Sequence, residues 1–195
     1  VLHDINFANK GVFTQSSGVV RITGAANSTI SGTINPQFYT LEIWKTGIAE
    51  TQLFINLDIA KEISFISGLL NLNNRNIFLL GTAVIKGETE TRRIIGANGG
   101  YIEVNAALNA PANANPGNLG VFITSTKNFG NTVIRRGHQS QVMGGGNSNS
   151  LLRYYDIVPA NNVDLNAALR FQYLDAELNG IDEGNAILFK KVNNL

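Results

Sequence analysis

Residues 38–80 read FYTLEIWKTGIAETQLFINLDIAKEISFISGLLNLNNRNIFLL, and the periods in that stretch decide the fold. Tyr39, Leu41 and Ile43 alternate with Thr40, Glu42 and Trp44. Leu53, Ile55, Leu57 and Ile59 alternate with Phe54, Asn56 and Asp58, and Leu70 and Leu72 with Asn71 and Asn73. Alternation over such short runs predicts half-buried strands. The run Asn76–Leu80 is more continuously apolar, which predicts a strand covered on both sides. Gly47, Gly68, Asn73-Asn74 and Gly81 separate these runs. Glycine and asparagine accept positive φ at low cost and so make corners.

Working outward, one apolar residue from each run gives Ile22, Leu41, Ile63, Val84, Ile102 and Ile123, in steps of about twenty residues. A recurring step of that size predicts one supersecondary unit stacked on the next. The expected fold is all-β, a right-handed parallel β-solenoid over residues 1–117, with Leu41, Ile63 and Val84 in line in its core. Asparagine is the commonest residue, about two dozen by count, and suits both turns and ladders between successive coils. A β-sandwich also has many short strands. The near-constant step and the lack of two-residue Asn-Gly turns between the early strands favour the solenoid.

The character changes at LNAPANANPGNLG, residues 108–120. Pro111 and Pro116 make the alanine-rich stretch Ala106–Ala114 an expected extended connector. Beyond it, longer and more aromatic strands are predicted at Thr132–Gly137, Leu151–Val158, Ala168–Leu174 and Ala186–Val192. Residues 118–195 therefore read as a small antiparallel module, sandwich-like or capping, with Val133, Tyr155, Ile157, Phe171 and Tyr173 as its core. A cap is physically required, because an open coil presents unpaired strand groups to other chains.

Composition narrows function by exclusion. The formal net charge is +1, with 15 basic and 14 acidic residues, and Arg92-Arg93, Arg135-Arg136 and Lys190-Lys191 are isolated pairs. They read as solvated strand edges, with no nucleic-acid footprint. Without cysteine there is no disulfide framework and no thiolate chemistry. No apolar stretch is long enough for a transmembrane helix. The chain opens at Val1 with no initiator Met, which predicts a processed product or an excerpt of a longer protein.

Candidate chemistry is sparse. His138 lacks an orienting carboxylate or a nucleophile nearby in sequence and reads as a hydrogen-bonded bridge from strand to loop. Asp175, Glu177 and Asn179, followed by Gly180, echo the start of a calcium loop, so calcium is the one cofactor considered. The competing reading is a plain strand-end turn, and Ala186 stands where such a loop would carry its bidentate Glu. Gly144–Asn147 lacks the Lys-Ser or Lys-Thr of a phosphate loop. Asp58, Glu62, Glu88, Glu90 and Glu103 are scattered, unlike the clustered acids of a β-helical lyase. Trp44, on the outward side of its strand, is a candidate for stacking on a sugar or for packing under a loop.

Arg136-Gly137-His138, Arg153-Tyr154-Tyr155-Asp156-Ile157 and Asp175-Ala176-Glu177-Leu178-Asn179-Gly180, preceded by FYTLEIWKTG and ISGLLNLNNRNIFL, are motifs by which residues 38–191 resemble a module of large secreted β-repeat proteins of Bacteroidetes. Such proteins are similar to type IX secretion cargo, and many are adhesin-like. The resemblance implies an extracellular or cell-surface setting. It also implies secretion and surface-attachment machinery as partners, with surface glycans or other surface proteins as contacts, and it supplies no catalytic residue. The expected function is a non-enzymatic structural or adhesive module. The alternative is a carbohydrate-binding or non-catalytic part of a polysaccharide-acting enzyme.

Overall fold

A computed structural model describes residues 2–142 and 150–190. The chain winds into stacked parallel coils. The first coil carries β1 (Leu2–His3) and β2 (Phe7–Asn9), and the second β3 (Val19–Gly24) and β4 (Ser28–Gly32). The third carries β5 (Gln37–Lys45) and β6 (Glu50–Leu53), and the fourth is the single long strand β7 (Leu57–Asn71). The fifth breaks into β8 (Ile77–Leu79), β9 (Val84–Lys86) and β10 (Arg92–Ile95). Each coil pairs in parallel with the next, as in Ile22↔Ile43, Leu41↔Ile63 and Ile30↔Leu53.

Strand β7 shows why the coil has three faces. It pairs with β8 through Leu57–Ile59, with β9 through Glu62–Ser64 and with β10 through Gly68–Asn71. Gly68 turns it from the second face to the third. Its φ is +83°, and a Cβ there would lie 2.5 Å from the Lys45 Cβ, so this corner admits glycine. The residues pointing inward form one apolar cluster that includes Ile22, Phe38, Leu41, Ile63, Leu70 and Ile102. Phe7, Phe13 and Phe38 lie edge-on and tilted, with centroids 5.2–5.4 Å apart, at the early end of it.

Asparagine acts between coils chiefly through side-chain bonds to backbone, with one Asn–Asn contact, Asn98 Nδ2 to Asn73 Oδ1 at 3.4 Å. Asn6, Asn27, Asn56 and Asn76 each use Oδ1 to accept the backbone N–H of a residue one coil on: Thr29, Glu50, Asn76 and Tyr101, at 2.8–3.1 Å. Corner N–H groups that no strand ladder reaches are satisfied in this way. Lys45 is an internal counterpart. Fully buried, its Nζ donates to Thr23 O at 2.9 Å, Ser28 Oγ at 3.0 Å and Asp4 Oδ1 at 3.2 Å.

Parallel stacking stops at β11 (Tyr101–Asn109), which pairs in parallel with β8 on one side and antiparallel with β13 (Asn128–Gly137) on the other. Strand β12 (Val121–Thr124) lies between them in sequence. The antiparallel run continues to β14 (Tyr154–Pro159), while β12 pairs with β15 (Ala168–Phe171) in a second small sheet. The C-terminal strands thus extend the first face of the solenoid. Leu119, Val121, Ile123 and Ile134 join the same apolar cluster as the coils.

Several expectations need correction. Val84 is half-buried, and Ile85 is the residue that pairs with Ile63 in the core. The turn at Leu80–Ala83 tucks the small Ala83 inward, which sets that phase. Likewise Ile134, not Val133, faces the core, because β13 takes its phase from Val104 opposite. Phe38, Thr40 and Leu41 are buried and Tyr39 is half-buried, so the simple alternation breaks between Thr40 and Leu41, next to a register shift in the pairing with β7. Residues 76–80 alternate, with Phe78 half-buried and Leu80 exposed, because no described segment covers the outer side of β8. The expected connector is strand as far as Asn109, since β11 finds partners on both edges. Residues 186–190 are not strand, and Ile187 and Leu188 are exposed without a face to bury.

Candidate functional site

The motif residues meet where the C-terminal segment closes the last coil. Arg136 and His138 come from the end of β13 and the residue after it, Arg153 from just before β14, and Glu177 from a single 3₁₀ turn at Asp175–Glu177. Glu88 comes from the solenoid, between β9 and β10. Arg136 is 1% exposed. Its guanidinium makes a fork with Glu88, Nη1 to Oε2 and Nη2 to Oε1 both at 2.9 Å, and Nη1 also donates to Leu119 O at 3.2 Å. The expectation of a solvated Arg135-Arg136 edge is therefore wrong for Arg136, which the strand's alternation drives into the interior. Arg135, on the outward side, bridges Glu103 at 2.7 Å and Asp156 at 3.0 Å.

Beside that fork, His138 Nδ1 lies 3.1 Å from Glu177 Oε1, both side chains being 2% exposed. Arg153 Nη2 donates to the same oxygen at 2.8 Å, and its Nε lies 2.8 Å from Oε2 but off line for a hydrogen bond. Glu177 Oε2 accepts the Leu174 N–H at 3.0 Å. Tyr155 Oη donates to Leu119 O at 2.8 Å, next to the Arg136 contact.

Electrostatics follow from burial and these pairings. Burial pushes the His138 imidazole down to about 4, against the partial support of Glu177 and with Arg136 and Arg153 adding to the fall. The ring is therefore neutral at neutral pH. Burial pushes the Glu177 carboxyl upward, but the His138 hydrogen bond and Arg153 outweigh it and bring it down to about 2. Burial acts upward on Glu88 too, yet Arg136, with His138 and Arg153 behind it, holds it below the ordinary carboxylate range. A neutral His138 facing a carboxylate must carry its proton on Nδ1, so Nε2 holds a lone pair. Nε2 is buried with no partner among the described residues, and so is Arg136 Nε.

Two cavities flank this network. One, of about 220 Å³, is bordered by Ile94–Asn98, His138, Leu152 and Ala176-Glu177. The other, of about 150 Å³, lies against Glu88, Asn118, Arg136, Arg153 and Gln172. No serine or threonine is among the described residues lining either one. His138 and Glu177 form an oriented imidazole–carboxylate pair with no nucleophile beside it among the described residues.

The three residues considered for calcium do not converge. Asp175 is exposed, Glu177 is committed to His138, Arg153 and Leu174, and the Asn179 amide donates to Ser150 O at 3.0 Å. Among the described residues no group of three or more His, Asp or Glu is placed to hold a metal ion. Three of the scattered solenoid acids instead serve as anchors for the C-terminal segment. Glu88 holds Arg136, and Glu103 holds Arg135. Glu90 accepts the N–H groups of Asp175 and Ala176 at 3.1 and 2.8 Å. Glu62 pairs with Lys86 at 2.7 Å, while burial raises the Asp58 carboxyl. Trp44 is 46% exposed, with the Arg21 guanidinium 5.0 Å from its ring centre and Arg21 also paired to Glu42. His3 is at the surface beside Thr23. Gly144–Asn147 and Lys191 lie outside the described residues.

Sequence reasoning singled out His138 and Glu177 separately and missed Glu88, Arg136 and Arg153 as members of one group. The signal available was the arginine in each of the first two motifs, on strands otherwise apolar enough to be core. No family model, no curated protein and no solved structure matches this chain.

Proposed function

We propose that this chain is a non-enzymatic structural or adhesive module of an exported bacterial surface protein, a stiff β-solenoid whose end is closed by its C-terminal segment. The observation that carries this reading is how the motif residues are used. Arg136, His138, Arg153 and Glu177 are consumed in fastening strands and a turn to the last coil. The stacked coils supply length and a wide outer surface suited to weak, repeated contacts. The resemblance to type IX cargo adds the surface setting and the secretion and attachment machinery as partners.

The test is display of the full-length protein on cells, read by antibody access to intact bacteria and by adhesion. Alanine at His138 or Glu177 should lower the melting temperature, and adhesion should fall only as folded protein falls. A glycan-cleaving activity in the isolated chain, lost on one carboxylate substitution with folding intact, overturns the reading.

A carbohydrate-binding role is favoured by one specific feature. Trp44 presents an exposed indole on the outer face of β5, with Glu42 on the same side. An aromatic face beside a carboxylate is a common means of holding a sugar ring. Glycan-array binding abolished by Trp44→Ala, with the melting temperature unchanged, would move the assignment to that class.

A further inference from the structure

The 220 Å³ cavity lies between the outside of the last coil and the C-terminal 3₁₀ turn. In β10, Ile94 points into the core, so alternation turns Arg93 and Ile95 outward. Glu90, just before that strand, accepts the N–H groups of Asp175 and Ala176 at 3.1 and 2.8 Å and so holds the turn against it. Ile95, Ala97, Leu152 and Ala176 make the lining largely apolar.

The wall also carries two polar groups with hydrogen bonds to spare, the Arg93 guanidinium and the Asn98 amide. Arg93 donates from Nη1 to Glu90 O, and no carboxylate among the described residues pairs with it. Asn98 Nδ2 makes one long contact, 3.4 Å to Asn73 Oδ1. The other polar side chains of the lining are taken. Asn71 donates to Glu50 and accepts from the Asn73 N–H, while Glu177 is held by Arg153 and His138. Arg93 is thus the lining side chain whose charge is unmatched. The Glu90 carboxylate is turned to the two N–H groups of the C-terminal turn and not to Arg93.

An apolar lining with one cation selects a molecule that is apolar with one anionic end. A guanidinium presents a planar fork that fits a carboxylate. Size sets the rest. An apolar cavity of about 150 Å³ takes a benzene, so about 220 Å³ takes one ring or a short branched chain together with its carboxylate.

We propose that this cavity binds a small apolar monocarboxylate, of the benzoate or branched short-chain acid class. Its body lies against Ile95, Ala97 and Leu152, and its carboxylate accepts from the spare N–H groups of Arg93 and Asn98. Exposed Ala97 and Asn98 mark the side from which it enters. A dicarboxylate is rejected, because its second charge would be set against the apolar lining and Glu177. The site is independent of the surface role proposed above.

The experiment titrates the uniformly ¹⁵N-labelled chain at neutral pH with benzoate and, separately, with toluene and with acetate, which carry the apolar body and the carboxylate alone. Benzoate should bind at least about tenfold more tightly than either. It should move the Arg93 Nε–H resonance and the backbone amides of Ile95, Ala97 and Ala176. Arg93→Met, which keeps an apolar stem and removes the charge, should bring benzoate down to the level of toluene while toluene binds as it does to the wild type. The wild-type comparison decides alone if that variant does not fold. The proposal is overturned if benzoate binds no more tightly than toluene or acetate, if it binds without moving those resonances, if folded Arg93→Met binds it as the wild type does, or if the wild type does not bind it up to its solubility.

Discussion

Arg136 and Glu88 are a buried ion pair, and such pairs are revealing when broken. Removing one partner strands the other charge, which costs about 3–5 kcal/mol, whereas replacing both with apolar groups is often neutral. Arg136→Met should therefore destabilise the chain by that amount, and adding Glu88→Leu should recover much of it. Urea denaturation of the two single variants and the double variant reads the coupling directly. His138 gives a second expectation. Its folded pKa of about 4 lies below the ordinary 6.5. Between those values the unfolded chain binds a proton that the folded chain refuses. The contribution is thus complete above about pH 6.5 and is lost as pH falls toward 4, about 3 kcal/mol in all. Glu177, brought down from 4.5 to about 2, continues the loss in the same direction at lower pH. The urea midpoint of the wild type should fall between pH 7 and 4.5, and His138→Gln should flatten that part of the curve. These residues could be seen in the sequence as motifs, but their meeting could not. Glu88 and Arg136 are 48 positions apart, His138 and Glu177 39, Arg153 and Glu177 24, and only the path of the chain through the cap brings them together.

At the scale of strands, the step of about twenty residues was legible because stacking repeats it. Observed partners such as Leu57↔Ile77 and Leu41↔Ile63 keep close to that interval. What could not be read was phase. Val84-Ile85 and Val133-Ile134 each place two β-branched residues side by side, so the local pattern fits either one pointing inward. The choice is made by the neighbouring strand, through Ile63 in one case and Val104 in the other. That difference is measurable. Ile85→Ala should cost about 2–5 kcal/mol, as for a large-to-small change in a packed core, and Val84→Ala about 1 kcal/mol or less. Equal losses would refute the register. Gly68→Ala tests the corner in the same assay. Its φ of +83° and its approach to Lys45 predict a loss larger than the roughly 1 kcal/mol of an ordinary backbone-entropy change.

For the molecule as a whole, the decisive fact is that coils and C-terminal strands share one apolar cluster. Leu119 is fully buried just after the Pro116–Asn118 turn, and Asn118 donates to Ile85 O at 2.7 Å, so the segment that reads as a connector is itself packed. Unfolding by urea should then be a single transition, with Trp44 fluorescence in the third coil and the far-ultraviolet signal of all strands coinciding. Two separated transitions would mean that cap and coils are independent. The buried Lys45 amine offers a clock for the same question. Its Nζ bonds to residues of the first two coils, so an amine-directed acylating reagent can reach it only when those coils part. Under native conditions its modification rate counts such partings against the immediate labelling of surface lysines. Each acylated Lys45 then records one opening of the early end of the rod, whatever the far end was doing at that moment.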